Sequence, residues 1–170
     1  MQNLKLPITI SPTRSAQRRL VCQGVFKLSA MTRLLAECES NSEHVQVSVK
    51  FDVDERGLTV LSGTASTSVA LTCQRCNGSF EHLLEVEFTF SPAKNAEAAE
   101  KIPSYYDVIE LDENGEVNLL ELVEEELILV IPLIPRHELK DCPADADTVW
   151  GELPEELEKP NPFEVLKQLK

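Results

Sequence analysis

An α+β fold, with a mostly antiparallel, curled β-sheet and a few helices packed on it, is the fold class that this 170-residue sequence predicts. Three observations predict it. Residues 45–90 contain three long stretches of strand-like alternation, separated by turn signals. Residues 118–131 carry a helical periodicity. The remaining elements are short and punctuated by proline, glycine or serine. The length suits a single domain spanning residues 1–170. A content of 42% hydrophobic and 26% charged residues is ordinary for a chain that buries a core.

In chain order, Lys5 to Ile10 reads as a short strand. Ser11 followed by Pro12 reads as an N-cap with proline at the first helical position, opening a short basic helix. Arg14 and Arg18 stand at i and i+4, on one face of it. Leu20 to Lys27 reads as a strand. Ser29 is placed to cap a second helix over Ala30 to Cys38.

Val45, Val47, Val49, Phe51 and Val53 then alternate with polar residues, the pattern of a half-buried strand. Asp54 to Gly57 is a hairpin turn, and Leu58 to Thr72 returns, with Gly63 as a bulge or bend. Ser79 to Phe90 is the third long strand, with Phe80, His82, Leu84, Val86, Phe88 and Phe90 on one face. Together these three form an antiparallel meander.

The Ala- and Glu-rich stretch 92–103 reads as a mobile insertion or weak helix, and Val108 to Leu111 as a further strand. After the turn Asp112 to Gly115, Asn118 stands three residues before Glu121 in capping-box spacing. The helix that follows is expected to face the core with Leu120, Val123, Leu127, Val130 and Ile131, and Pro132 ends it. Residues 136–170 read as an acidic C-terminal extension. It ends in a short helix over Pro162 to Lys170, capped by Asn161.

Charge divides the chain. Net charge is −13, yet residues 1–36 form a basic N-terminal segment with six basic and no acidic side chains, which leaves −19 for the rest. Asp107 to Glu158 carries 17 acids against Arg136 and Lys140. Such asymmetry predicts an acidic and a basic face with different partners. Arg14, Arg18 and Arg19 are the candidate contacts to RNA phosphates or to an acidic protein surface. They also fit a solvated surface that offsets the acidic remainder.

Met1 to Ile10 lacks the continuous apolar core of a signal peptide, and Leu127 to Ile131 is far too short to span a bilayer. Five cysteines, an odd number, fit a reducing compartment better than a disulfide framework. A soluble cytoplasmic protein without membrane partners is expected.

The sharpest motif is Cys73-Gln74-Arg75-Cys76, followed by Asn77 and Gly78, at the turn between the second and third long strands. Two thiols at this spacing on a tight turn can face one tetrahedral ion, and Gly78 is expected to supply the positive backbone dihedral of such a knuckle. His137 and Cys142 are the close-set pair downstream that would complete a zinc site. A lone CxxC also fits two strand-end thiols without a metal. A redox role fits less well, because redox CxxC pairs open a helix rather than a hairpin turn.

Glu124, Glu125 and Glu126 form a carboxylate cluster that fits a solvated helix side better than an acid–base pair. The sequence holds no phosphate-cradling glycine loop, no nucleophile elbow and no HExxH. Cys22 and Cys38 read as small buried hydrophobes. No catalytic residues are assigned, and the expected protein is not an enzyme.

Four stretches taken together resemble the YceD family, the large ribosomal RNA subunit accumulation proteins of bacteria. They are KLPITISPTRSAQRRL from Lys5, LTCQRC from Leu71, LLELVEEELILVIPLIPRH from Leu119 and GELPEELEKPNPFEVLKQLK from Gly151. The resemblance implies a non-catalytic accessory factor in ribosome biogenesis that supports synthesis, processing or stability of 23S ribosomal RNA. Ribosomal proteins or assembly factors would be its partners at the acidic surface, and 23S rRNA a candidate at the basic helix. The alternative is a zinc-stabilised adaptor for an RNA-processing enzyme. Many members of the family carry further cysteines after the CxxC pair. Here Cys142 is the one cysteine in that region, with His137 nearby, so a four-cysteine site would need Cys22 or Cys38 to complete it, and three cysteines with one histidine is the other set.

Overall fold

The computed structural model describes residues 6–143. Lys5 and the helix expected over Pro162 to Lys170 lie outside them, as does most of the acidic extension. Strands β1 (Thr9–Ile10), β2 (Val21–Lys27), β3 (Glu39–Ser40), β4 (His44–Val53), β5 (Thr59–Thr72), β6 (Ser79–Ala93), β7 (Asp107–Glu110) and β8 (Val117–Asn118) alternate with four helices. These are α1 (Pro12–Gln17), α2 (Leu34–Glu37), α3 (Ala96–Ala99) and α4 (Leu119–Leu129). The architecture is α+β, as expected.

The main sheet has six strands in the order β2-β4-β5-β6-β7, with β3 pairing beside β5. The expected meander is its centre. β4 runs antiparallel to β5 from Val53↔Thr59 to Gln46↔Ser66, and β5 to β6 from Leu61↔Phe90 to Thr72↔Ser79. Where β4 stops, β3 takes over on the same edge, at Glu39↔Ala70. β7 joins β6 in parallel, and the connection over residues 94–106 holds α3. A parallel step needs a crossover of about a dozen residues, which this connection supplies. β1 and β8 form a separate antiparallel pair.

Period-two alternation places Val45, Val47, Val49 and Phe51 inside, while Val53, at the strand end, is exposed. Leu61, Ala65, Val69 and Leu71 of β5 join them, with Leu84, Phe88 and Phe90 of β6. Over this face lie Ala16 of α1, Leu28, Met31 and Leu34, and Leu119, Val123 and Leu127 of α4. Asn118 caps α4 as expected, its side chain accepting from the Glu121 N–H at 3.3 Å. The buried stripe begins at Leu119 rather than Leu120, and Val130 lies beyond the helix and exposed.

Several local expectations are corrected. The helix expected over Ala30 to Cys38 is split into a 3-10 turn, Leu28–Ala30, and the four-residue α2. Met31 breaks it with ψ 75°, outside the helical region. The N–H groups of Arg33 and Leu34 then turn to the Glu124 carboxylate. The stretch expected as an insertion at residue 92 starts later, because Pro92 and Ala93 extend β6.

Gly63 is not a bulge, since its register runs unbroken between Val49 and Phe88. It is a point of close approach. A Cβ there would stand 2.6 Å from the Ser48 carbonyl oxygen and 2.7 Å from the Phe88 ring. Gly63→Ala is therefore expected to cost about 1–3 kcal/mol through overpacking. It should lower the urea midpoint without changing the m-value. An unchanged midpoint would mean that the three strands have slack at this position.

Candidate metal centre

The end of the β5–β6 hairpin is a tight knuckle. Cys73 follows β5 directly, its N–H donating to the Gly78 carbonyl at 2.9 Å, and the Asn77 N–H returns to the Cys73 carbonyl at 2.8 Å. Asn77, with φ 58°, takes the left-handed conformation expected of Gly78. Asparagine tolerates that region better than most residues. Gly78 serves differently. Its N–H donates to the Cys76 Sγ at 3.4 Å, and a Cβ there would meet the same sulfur at 3.3 Å. Glycine lets the thiol fold back over the turn.

The segment after α4 comes to this knuckle. Gln74 donates its N–H to the Pro135 carbonyl at 2.9 Å. Arg75 donates through Nε to Cys142 Sγ at 2.9 Å and through Nη2 to the His137 carbonyl at 3.0 Å. The His137 ring packs against Phe80, the centroids 5.4 Å apart. A short 3-10 turn, Leu139–Asp141, then delivers Cys142.

The result brings Cys73, Cys76, His137 and Cys142 together, with their ligand atoms all within 4.8 Å of one another. Cys73 is buried and the other three are half-buried. The Cys76 Sγ to His137 Nε2 distance is 3.7 Å. In a tetrahedral zinc site, Zn–S near 2.3 Å and Zn–N near 2.0 Å put sulfur and nitrogen about 3.5 Å apart. The Cys76–His137 pair is thus spaced for the ion. Among the described residues, His137 Nδ1 is buried with no hydrogen-bond partner, and Nε2 meets only a thiol. Burying such a group is costly unless something satisfies it. A metal ion at Nε2 would make the imidazole a ligand through that nitrogen, in place of its contact with the thiol alone.

Electrostatics favour ionised sulfur at one position. Burial pushes the Cys73 thiol up, but the backbone N–H groups of Arg75, Cys76 and His137, with the Cys76 thiol, pull it down to about 6. Cys76 is raised instead. The Gly78 N–H lowers it, but burial and the neighbouring Cys73 and Cys142 thiols outweigh that effect. The thiolate is the metal-binding form of cysteine.

The other candidates are dispersed. Arg14, Arg18 and Arg19 are all exposed, but α1 ends at Gln17, so Arg18 is its C-cap and Arg19 turns left-handed at φ 49°. Arg19 pairs with Asp52 at 3.7 Å. The three clustered glutamates of α4, Glu124 to Glu126, point to different tasks. Glu124 is buried and caps α2, accepting from Arg33 N–H at 2.7 Å and Leu34 N–H at 3.1 Å, which corrects its expected place on the solvated side. Glu125 pairs with the Arg33 guanidinium at 2.8 Å. Glu126 is raised by burial and then by Asp107 and Glu125. Cys38 is buried, its thiol donating to the Leu34 carbonyl at 3.2 Å, and Cys22 is half-buried. No helix among the described residues is long and apolar enough to cross a membrane.

Arg75 and Pro135 are the support residues that sequence reasoning missed, while Gly78 and Glu124 were read in other roles. The signal for Arg75 was its place between the two cysteines. For Glu124 it was the spacing from Leu120 and Leu127, four and three residues, which sets it on the apolar stripe.

A family model described as large ribosomal RNA subunit accumulation protein YceD matches residues 61–170. A Haemophilus influenzae protein named large ribosomal RNA subunit accumulation protein YceD is 44% identical over 172 residues, covering 100% of this chain and 99% of the relative. No solved structure matches. The matched region contains the whole Cys73–Cys142 cluster and α4, and the relative extends the likeness over the basic N-terminal segment: the chain belongs to the YceD family.

Proposed function

We propose that this chain is a non-catalytic accessory factor in ribosome biogenesis, one that supports accumulation of the large-subunit ribosomal RNA in the cytoplasm by binding. The observation that carries this reading is the full-length likeness to a relative whose name states that role. The glutamate cluster gives no support to an enzyme, because one carboxylate is a buried cap and a second is engaged in an exposed ion pair. Arg14, Arg18 and Arg19 offer exposed positive charge for rRNA phosphates. The acidic side offers Glu110, Asp112, Glu116, Glu121 and Glu125 along one cleft, suited to basic ribosomal proteins or assembly factors.

The cluster of Cys73, Cys76, His137 and Cys142 supports a second component, a structural zinc site that staples the 135–142 segment to the hairpin end. It is closed by four protein ligands, so it leaves no open position for substrate. A zinc-stabilised adaptor that recruits an RNA-processing enzyme is the variant of the reading that this cluster favours.

A strain lacking the gene is expected to show a lowered ratio of large- to small-subunit rRNA, restored by the intact gene. A normal ratio would contradict the reading. Complementation with Arg14→Glu/Arg18→Glu is expected to fail if the basic end touches RNA, and full complementation would remove these side chains from the contact. Co-purification of a ribonuclease would favour the adaptor variant.

A further inference from the structure

Beside the four candidate ligands stands a side chain that is not one of them and that bridges the two segments of the site, Arg75. Arg75 lies between two of the cysteines in sequence, and its guanidinium crosses to the opposite segment. One prong, Nε, donates to the Cys142 sulfur at 2.9 Å, and a second, Nη2, donates to the His137 carbonyl at 3.0 Å. A single planar group thus contacts the residues that carry both downstream ligands. The backbone bond from Gln74 to Pro135 closes the same gap next door.

We propose that Arg75 is the positioning and charge-balancing clamp of this metal centre, an inference that rests on the zinc reading above. Two physical arguments support it. A zinc ion with three thiolates and a neutral imidazole carries a net charge of −1. In a half-buried site that excess needs a nearby cation, and Arg75 supplies it at hydrogen-bond distance to a ligand sulfur. His137 and Cys142 also come from a loop whose own 3-10 turn is a single one, Leu139–Asp141. The guanidinium fork holds that loop at two points and so reduces the ordering cost that the metal must otherwise meet. Lysine carries the charge but lacks the rigid planar fork, so it holds two acceptors less firmly. Partners of metal ligands of this kind typically alter metal affinity by about 10–100-fold when removed.

The test uses the full chain with Arg75→Met, Arg75→Lys and the unaltered protein, each titrated with zinc against a competing chelator and separately with cobalt(II). The unaltered chain binds one ion, and Arg75→Met is expected to bind about 10–100-fold more weakly. Arg75→Lys should recover only part of that loss. The cobalt form of Arg75→Met should keep the thiolate-to-metal charge-transfer band at saturation. That outcome shows the same ligands held less firmly, whereas a generally unfolded chain would lose the band. Cys142 in the zinc-loaded Arg75→Met chain should also alkylate faster, since its sulfur has lost a donor. Wild-type affinity in Arg75→Met, or full recovery in Arg75→Lys, overturns the clamp. Failure of the unaltered chain to bind either ion would instead overturn the zinc site itself.

Discussion

Cys73→Ser is expected to abolish stoichiometric zinc binding and to release residues 135–142 from the end of the β5–β6 hairpin. Cys73 is the buried member of the cluster and the one whose thiol is drawn down to about 6, so its loss removes the best-prepared ligand. An ion that binds only the folded chain stabilises it by about 4 kcal/mol when free metal stands a thousandfold above Kd. For a chain of this size that corresponds to a fall in Tm on the order of 10 °C. A chelator should reproduce the fall in the unaltered chain and have no further effect on Cys73→Ser. The damage should be local, because the β4–β6 core holds Val45, Val49, Phe51, Leu61 and Val69 at 0% exposure without help from the cluster. Hydrogen exchange should therefore quicken at the Gln74 and Asn77 amides, which close the knuckle, and stay slow along the paired centre of β5. Equal Tm values with and without chelator would contradict a structural ion.

Glu124→Ala is expected to lower stability by about 3 kcal/mol, a large effect for one residue in a helix rich in carboxylates. The Glu124 side chain is 4% exposed, and one oxygen, Oε1, accepts from two backbone N–H groups of the 28–38 segment. Removing it orphans the buried Leu34 donor and the part-buried Arg33 donor. Each such loss costs about 1–3 kcal/mol, and bonds to a charged acceptor lie at the upper end. Glu124→Gln keeps an acceptor and should cost about 1 kcal/mol. Glu125→Ala breaks only an ion pair whose partners are both more than half exposed, and should fall within about 1 kcal/mol. Urea unfolding of the three variants checks the order. Equal losses at 124 and 125 would mean that the cap has no energetic role.

Much of the fold was legible in the sequence because its strongest signals are periodic and local. The alternation from Val45 to Phe90 marks faces as well as strands, and the turns at Asp54 to Gly57 and Asp112 to Gly115 carry their own chemistry. In both, an aspartate Oδ1 accepts from backbone N–H groups and a glycine takes a positive φ. What was not legible depends on partners far away in the chain. The 30–38 helix failed because Glu124, some 90 residues on, competes for its N–H groups. Gly63 was read from its own strand, although the reason for it lies in Ser48 and Phe88 on the two neighbours. The direction of β7 is invisible in a four-residue strand, because the connection that allows a parallel step gives no alternation to read.

The Cys/His cluster was legible for a different reason. With five cysteines and three histidines in the chain, the choice of a second pair for the CxxC knuckle is short. Spacing could name His137 and Cys142, but not the means by which they reach the knuckle. That task falls to Arg75 and to the Pro135 carbonyl, neither of which is a ligand type. Similarly, the knuckle's positive φ was assigned to the glycine on general grounds. It belongs to Asn77, because Gly78 is needed where the Cys76 sulfur folds back.

X-ray absorption at the zinc edge, on chain purified without chelators or metal-affinity resin, tests the central claim most directly. One zinc per chain, with three sulfurs at about 2.3 Å and one nitrogen at about 2.0 Å, is the predicted result. Substoichiometric zinc, or a first shell of oxygen and nitrogen without sulfur, would contradict it.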